Sequence, residues 1–190
     1  METANGTLSH FAIDSRSSRF VVQAFATGLL AKMGHNPVIG IRSFSGEVKF
    51  SPDAGQAGEF RLVIQLASLA VQDDISDKDR REIESMMKGQ VLEVSSYAEA
   101  VYEAPTVSIK KLGDQLYSVT LEGKLQFHGV TRSQPITARI AVFGDMLRAS
   151  GDFILKQSDY QVKPVSVAGG ALKLKDELKF SFEMVARKQE

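Results

Sequence analysis

The stretch VTLEGKLQFH, residues 119–128, alternates without a break. Val119, Leu121, Gly123, Leu125 and Phe127 fall on one side, and Thr120, Glu122, Lys124, Gln126 and His128 on the other. Side chains of a strand point to opposite faces in turn, so this run reads as a β-strand with one dry and one wet face. Gly129 then permits a tight reversal. The following run, ITARIAVF, sets Ile136, Ala138, Ile140 and Val142 on one side. Pro135, just ahead of it, suits a strand start or an unpaired edge, because proline cannot donate to a ladder.

The same pattern extends outward in both directions. In DMLRASGDFILK, Leu147, Ala149, Gly151, Phe153 and Leu155 alternate against Arg148, Ser150, Asp152 and Lys156. Gly144-Asp145 ahead of it has the length of a two-residue hairpin loop. ELKFSFEMVAR alternates Leu178, Phe180, Phe182, Met184 and Ala186 against Glu177, Lys179, Ser181 and Glu183. FRLVIQL sets Phe60, Leu62, Ile64 and Leu66 on one face. SRFVVQAFA, which carries Phe20 and Val22, alternates less cleanly because both faces hold apolar residues. In GHNPVIGIRSFSGEVKF, residues 34–50, His35-Asn36-Pro37 reads as the entry to a strand, with Phe44 and Val48 on its apolar side.

One segment departs from period two. Residues 73–92, DDISDKDRREIESMMKGQVL, are charged, and Ile75, Arg80, Ile83, Met86 and Met87 recur at roughly helical spacing. Ser76 with Asp79 forms a capping pair and Gly89 a stop, which predicts one amphipathic helix of about three turns. Short helical or turn segments are expected at residues 28–33 and 155–160. A mobile loop is expected over residues 164–176, with Gly169-Gly170 in its middle.

The bulk composition excludes several function classes. The chain has 190 residues, with 43% hydrophobic residues, 23 Lys plus Arg and 23 Asp plus Glu. That is one domain, 1–190, with an ordered core at about 10–187 and apolar material for a core or a lined cavity. Zero net charge argues against a protein that grips nucleic acid mainly by charge. The chain has no Cys, hence no thiol chemistry and no disulfides. The three His lack ligand-type partners at i+2 or i+4, so no metal site is expected. The nucleophile-elbow, phosphate-loop, dinucleotide and zinc-protease motifs are all missing. Met1 to Asp14 has no basic start followed by an apolar run, and no run of about 18 apolar residues exists to span a membrane. As written the chain is expected in the cytoplasm; a removed leader would place it in the periplasm.

About eight amphipathic strands with short antiparallel links must each hide one face. A closed barrel or a two-sheet sandwich does so, and strands this long favour the barrel. An eight-stranded barrel is just wide enough for its own side chains or one slender ligand.

At this point the chain resembles the YceI-like family, bacterial polyisoprenoid-binding proteins with a lipocalin-like antiparallel barrel. Phe11-Ala12-Ile13-Asp14 followed by Ser18 and Phe20 carries the first part of the likeness. Gly34-His35 opening a strand that ends in Phe44 to Phe50 carries the second. The charged helix at Asp77 to Arg81, and the run from Leu121 to Thr131, carry the third. These motifs span nearly the whole chain in the family's order. Three features depart from the pattern: Tyr97 is followed by Ala98 where the family has proline, Glu82-Ile83 replaces a His-Leu pair, and no secretory signal is visible.

The resemblance implies an apolar lumen that holds an isoprenoid tail, of a quinone or a polyprenyl lipid, for transport, storage or protection. It implies no catalytic residue and no cofactor beyond the bound lipid. The inward faces named above supply the lumen: Phe20, Val22, Phe44, Val48, Leu62, Ile64, Leu121, Leu125, Phe127, Ile140, Val142, Phe153, Leu155, Phe180 and Phe182. Gly46, Gly123, Ala138, Ala149 and Gly151 on those faces are expected to leave space. Met86 and Met87 are flexible enough to gate one end. His35 is expected at the rim, as a structural residue or a head-group contact.

Two other readings compete. The barrel could be filled and serve as a protein-interaction module, and a homodimer is compatible with the sequence. A hydrolase or isomerase would instead need a buried ionisable group in the lumen, where the alternation places few.

Overall fold

The computed structural model of the protein describes residues 8–27, 36–51, 58–105, 107–167 and 172–190. Its first strands are β1 (Ser9–Ile13), β2 (Arg19–Gln23), β3 (Ala26–Thr27), β4 (Val38–Ile41), β5 (Phe44–Phe50), β6 (Gly58–Gln65) and β7 (Leu69–Val71). After the helix come β8 (Glu99–Ala104), β9 (Val107–Gly113), β10 (Leu116–Phe127), β11 (Val130–Phe143) and β12 (Met146–Lys156). The chain ends with β13 (Ser166–Val167), β14 (Leu172–Leu174) and β15 (Glu177–Lys188).

Pairing runs β1-β5-β6-β8-β10-β11-β12-β15, and β15 returns to β1 through Phe11↔Lys188 and Ile13↔Ala186. The ring is therefore the antiparallel eight-stranded barrel that the alternation and strand lengths predict. Several of its walls are kinked strands. β1 and β2 both pair with β15, on either side of Asp14 to Ser18. β8 and β9 both pair with β10, on either side of Pro105. β2, β4 and β7 extend the sheet past the ring at one end, where β13, β14 and β3 form a small second sheet.

The short links carry the backbone conformations their residues suit. His128 and Gly129 have φ of 49° and 75° in the two-residue turn between β10 and β11, as the twist of a tight hairpin demands. Gly144, with φ 55°, opens the two-residue turn between β11 and β12. Pro135 lies well inside β11, not at its start. It is tolerated there because β12 pairs with β11 only from Arg139↔Ser150 to Phe143↔Met146. The edge of β11 at Pro135 therefore lies outside the β11–β12 ladder, so the missing N–H forfeits none of its bonds.

The helix α1 spans Asp77–Met86, with Ser76 as its N-cap: the Ser76 Oγ accepts from the Asp79 N–H at 3.1 Å. The expected stop at Gly89 does not occur. The chain continues through a wide π turn, Met87–Val91, and the left-handed residue that ends the segment is Glu93, with φ 46°. At residues 157–160 the expected turn is a single 3-10 turn, Gln157–Tyr160. Residues 28–33, His35 and Gly169-Gly170 lie outside the described residues; on either side of that glycine pair the segment expected as a loop instead forms β13 and β14, paired through Ser166↔Lys173 and Val167↔Leu172.

The barrel is packed at one end. Phe11, Tyr117, Leu147 and Ala186 are all at most 8% exposed, and Phe50, at the border of this end, meets Tyr117 edge-on at 5.8 Å. The inward rings of Phe60, Phe153, Phe180 and Phe182, by contrast, are only half-buried.

Candidate functional site

Each long strand turns every second side chain inward, so the wall of the lumen is a set of alternate residues from different strands. They enclose a cavity of about 570 Å³. Val48, Leu62, Ile64, Leu121, Leu125, Phe127 and Ile140 line one side of it. Phe20, Val22, Phe153, Leu155, Phe180 and Phe182 line the other. Phe20 stacks on Phe182 with centroids 6.1 Å apart.

Two candidate lumen residues do not border the cavity. Phe44 is buried against Phe20, edge to face at 4.6 Å. Val142 pairs with Leu147 in the packed end, below the hollow. Both point inward, as their parity requires, but packed neighbours take up the space at their positions.

The expected role of the small residues divides in the same way. Ala138 and Ala149 border the cavity. The glycines instead accommodate close neighbours. A Cβ on Gly123 would lie 2.3 Å from the Tyr102 ring, and one on Gly151 would lie 2.8 Å from the Thr137 carbonyl and 2.9 Å from the Phe182 ring. A Cβ on Gly46 would meet the Arg61 carbonyl. A glycine on an inward face thus admits a cross-strand ring or a neighbouring backbone, not a ligand.

One end of the cavity is crossed by the helical segment. Ile83, Met86, Met87, Val91 and Leu92 border the hollow, although no residue of α1 itself is buried. Apolar packing is therefore not what docks α1. The Glu84 Oε1 accepts from the Val71 N–H at 2.9 Å, and the Arg80 guanidinium donates to the Val71 and Asp73 carbonyls. Val71 lies on β7, the last strand of the extension, whose edge would otherwise be open. The far end of the same segment is tied to the β10–β11 turn. His128 is 9% exposed; its Nε2 lies 3.1 Å from the Glu93 carboxylate and its Nδ1 3.2 Å from the Tyr160 carbonyl. The Tyr97 ring lies against it at 4.3 Å.

Polar groups around the cavity are few and mostly engaged. The Tyr102 hydroxyl donates toward the Leu121 and Gln134 carbonyls, at 3.3 and 2.8 Å, and burial pushes its ionisation well above the ordinary range. Lys49 and Glu59 pair with each other at 2.7 Å. The Asp73 Oδ2 accepts from the Val38 N–H at 2.9 Å. Gln157 also borders the cavity and is 5% exposed.

The sequence reading overlooked Gln157, Ile39, Ile41, Leu69 and Val71, all of which line the cavity. Gln157 continues the odd-numbered inward face of Leu147 to Leu155, so parity was the available signal. Ile39 and Ile41 alternate around Gly40, but on a four-residue strand, too short for periodicity to declare itself.

Comparison with known proteins places this architecture among related barrels. A family profile described as the YceI-like domain matches residues 11–186. The BcnA protein of Burkholderia cenocepacia superposes with a TM-score of 0.69 at 20% identity, covering 91% of this chain and 98% of that one. A polyisoprenoid-binding domain from Saccharophagus degradans, implicated in plant cell wall breakdown, superposes with a TM-score of 0.67 at 16% identity, covering 96% and 99%. A YCEI protein from Campylobacter jejuni gives 0.56 at 15% identity, covering 80% and 85%. These likenesses establish the shared fold. No curated protein matches the chain in sequence.

Proposed function

The chain belongs to the YceI-like family, and on that footing we propose that it binds an amphiphilic isoprenoid lipid, of quinone or polyprenyl type, non-covalently in the barrel lumen for transport, storage or protection. The observation that carries the reading is the hollow itself: about 570 Å³ walled by alternating apolar faces. That volume lies within the usual range for a small-molecule site. The polyisoprenoid-binding description of the Saccharophagus domain, which shares the fold, supports the same reading.

The physical case is simple. An isoprenoid tail leaving water gains about 25 cal/mol per Å² of apolar surface removed, less the cost of ordering a flexible chain. The half-buried rings of Phe153, Phe180 and Phe182 offer such surface before any ligand arrives. Met86 and Met87, at the crossing segment, can repack around tails of different shape. The reading calls for no bond-making step and hence no catalytic group. The competing reading, a filled barrel that binds a protein partner, has the hollow half of the lumen against it.

Native mass spectrometry of the freshly purified protein, followed by organic extraction, tests the proposal. A stoichiometric adduct whose extract shows prenyl repeats is the expected result. Bare protein that also fails to take up added ubiquinones, prenyl alcohols and polyprenyl phosphates would overturn it.

A further inference from the structure

Gln157 stands out among the described residues that line the cavity. Its side chain is more than nine-tenths buried, yet one of its two polar atoms has no partner among the described residues. The Nε2 donates to the Lys175 carbonyl at 2.9 Å. The Oε1 accepts from no described residue. That oxygen belongs to a residue that borders the hollow.

The surroundings hold that amide in place. The Gln157 backbone N–H donates to the Asp176 carbonyl at 2.9 Å, and it opens the Gln157–Tyr160 turn. The next residue is clamped twice: the Asp176 carboxylate accepts from the Ser158 N–H at 2.7 Å and from its hydroxyl at 2.6 Å. A polar group fixed by its neighbours can orient a ligand without ordering itself first.

We propose that Gln157 is the polar anchor of the lumen, and that it selects a neutral, hydroxyl-bearing isoprenoid over a phosphorylated one. The inference rests on the isoprenoid-binding reading. A free amide oxygen accepts a hydroxyl proton, and the second Nε2 proton can return a bond to the same oxygen. A phosphate at this position would be an ion taken out of water without a buried cation beside it, which is strongly unfavourable. Among the described lining residues the cations are Lys49 and Lys173. Lys49 is paired with Glu59, and Lys173 is an exposed residue, not a buried cation.

The test compares three probes: geranylgeraniol, geranylgeranyl monophosphate and the corresponding hydrocarbon lacking the oxygen. Each is titrated by competition native mass spectrometry against the wild type, Gln157→Met and Gln157→Arg. The wild type is expected to prefer the alcohol to the phosphate. Gln157→Met should weaken the alcohol about tenfold, the equivalent of one neutral hydrogen bond, and leave the hydrocarbon unchanged. Gln157→Arg should reverse the preference toward the phosphate. A Gln157→Met variant that keeps the alcohol's full affinity overturns the inference, as does a wild type that prefers the phosphate. A variant that loses the hydrocarbon as well makes Gln157 part of the scaffold and overturns it too. If none of the three probes binds the wild type, this inference falls, and failure of ubiquinone to bind as well would take the isoprenoid reading with it.

Discussion

Phe153 and Phe180 face each other across β12 and β15 and stack, with ring centroids 5.0 Å apart and planes 12° apart. A stacked pair in the centre of a filled core would be sealed on all sides. This one is only half-buried and borders the hollow. The two rings form part of the cavity wall.

A larger side chain at this wall has room to grow. Phe180→Trp should therefore leave the urea midpoint nearly unchanged while reducing uptake of a prenyl alcohol by about tenfold or more. In a filled barrel the same change would overpack the core and cost about 1–3 kcal/mol. Equilibrium unfolding and ligand titration on one sample separate the two.

Truncation should cost different amounts at the two ends. Phe11 is 3% exposed and does not border the hollow, so Phe11→Ala should lose about 3–5 kcal/mol. Phe153→Ala removes a ring that already borders empty space and should lose clearly less. Equal losses in urea denaturation would show that the hollow end is closed in solution.

Glu84 protects the edge of β7. Glu84→Ala leaves the Val71 N–H, on a residue 1% exposed, without its acceptor. The expected cost is about 1–3 kcal/mol, with faster amide exchange at Val71. Glu84→Gln keeps an acceptor oxygen and should restore most of both. Unchanged exchange in Glu84→Ala would mean that α1 does not cap this edge.

Acid should loosen the turn that carries Gln157. Hydrogen bonds from the Ser158 side chain, then from its backbone, hold the Asp176 carboxyl below its ordinary pKa of 3.8. The unfolded chain takes up that proton at higher pH than the folded one does. The stabilisation is thus fully present above 3.8 and is lost as pH falls through the depressed folded value. Asp176→Asn should lower the melting temperature at neutral pH, and the gap from wild type should shrink below about pH 4. A gap that stays constant down to about pH 2 would mean the carboxylate contributes nothing.

Much of the barrel is legible in the sequence because its determinants are local. The alternation from Val119 to Phe127 reports a strand with one buried face, since period two is a property of the backbone itself. All five of those inward residues are buried or pressed against a neighbour. The two-residue links at His128-Gly129 and Gly144-Asp145, and the Ser76 cap, follow from single residues and their immediate neighbours. The helix end was not legible at Gly89, because the chain's path there depends on packing of Met87 and Leu92 rather than on the glycine's freedom.

The tertiary structure decided what the inward faces are for. Parity assigns a direction to a side chain, but it does not say what the opposite strand places there. Gly123 and Gly151 resemble empty space in one dimension and are occupied by Tyr102 and Phe182 in three. Val142 and Phe153 carry the same apolar signal, yet one lies in the packed end and the other beside the hollow. Gln157 reads as the residue after a strand, and only closure of β15 onto β12 sets it beside the lumen, with its Nε2 held by the Lys175 carbonyl. Which face is dry is a local property. Which part of the dry space stays unfilled depends on contacts between residues far apart in the chain, and no local pattern encodes those.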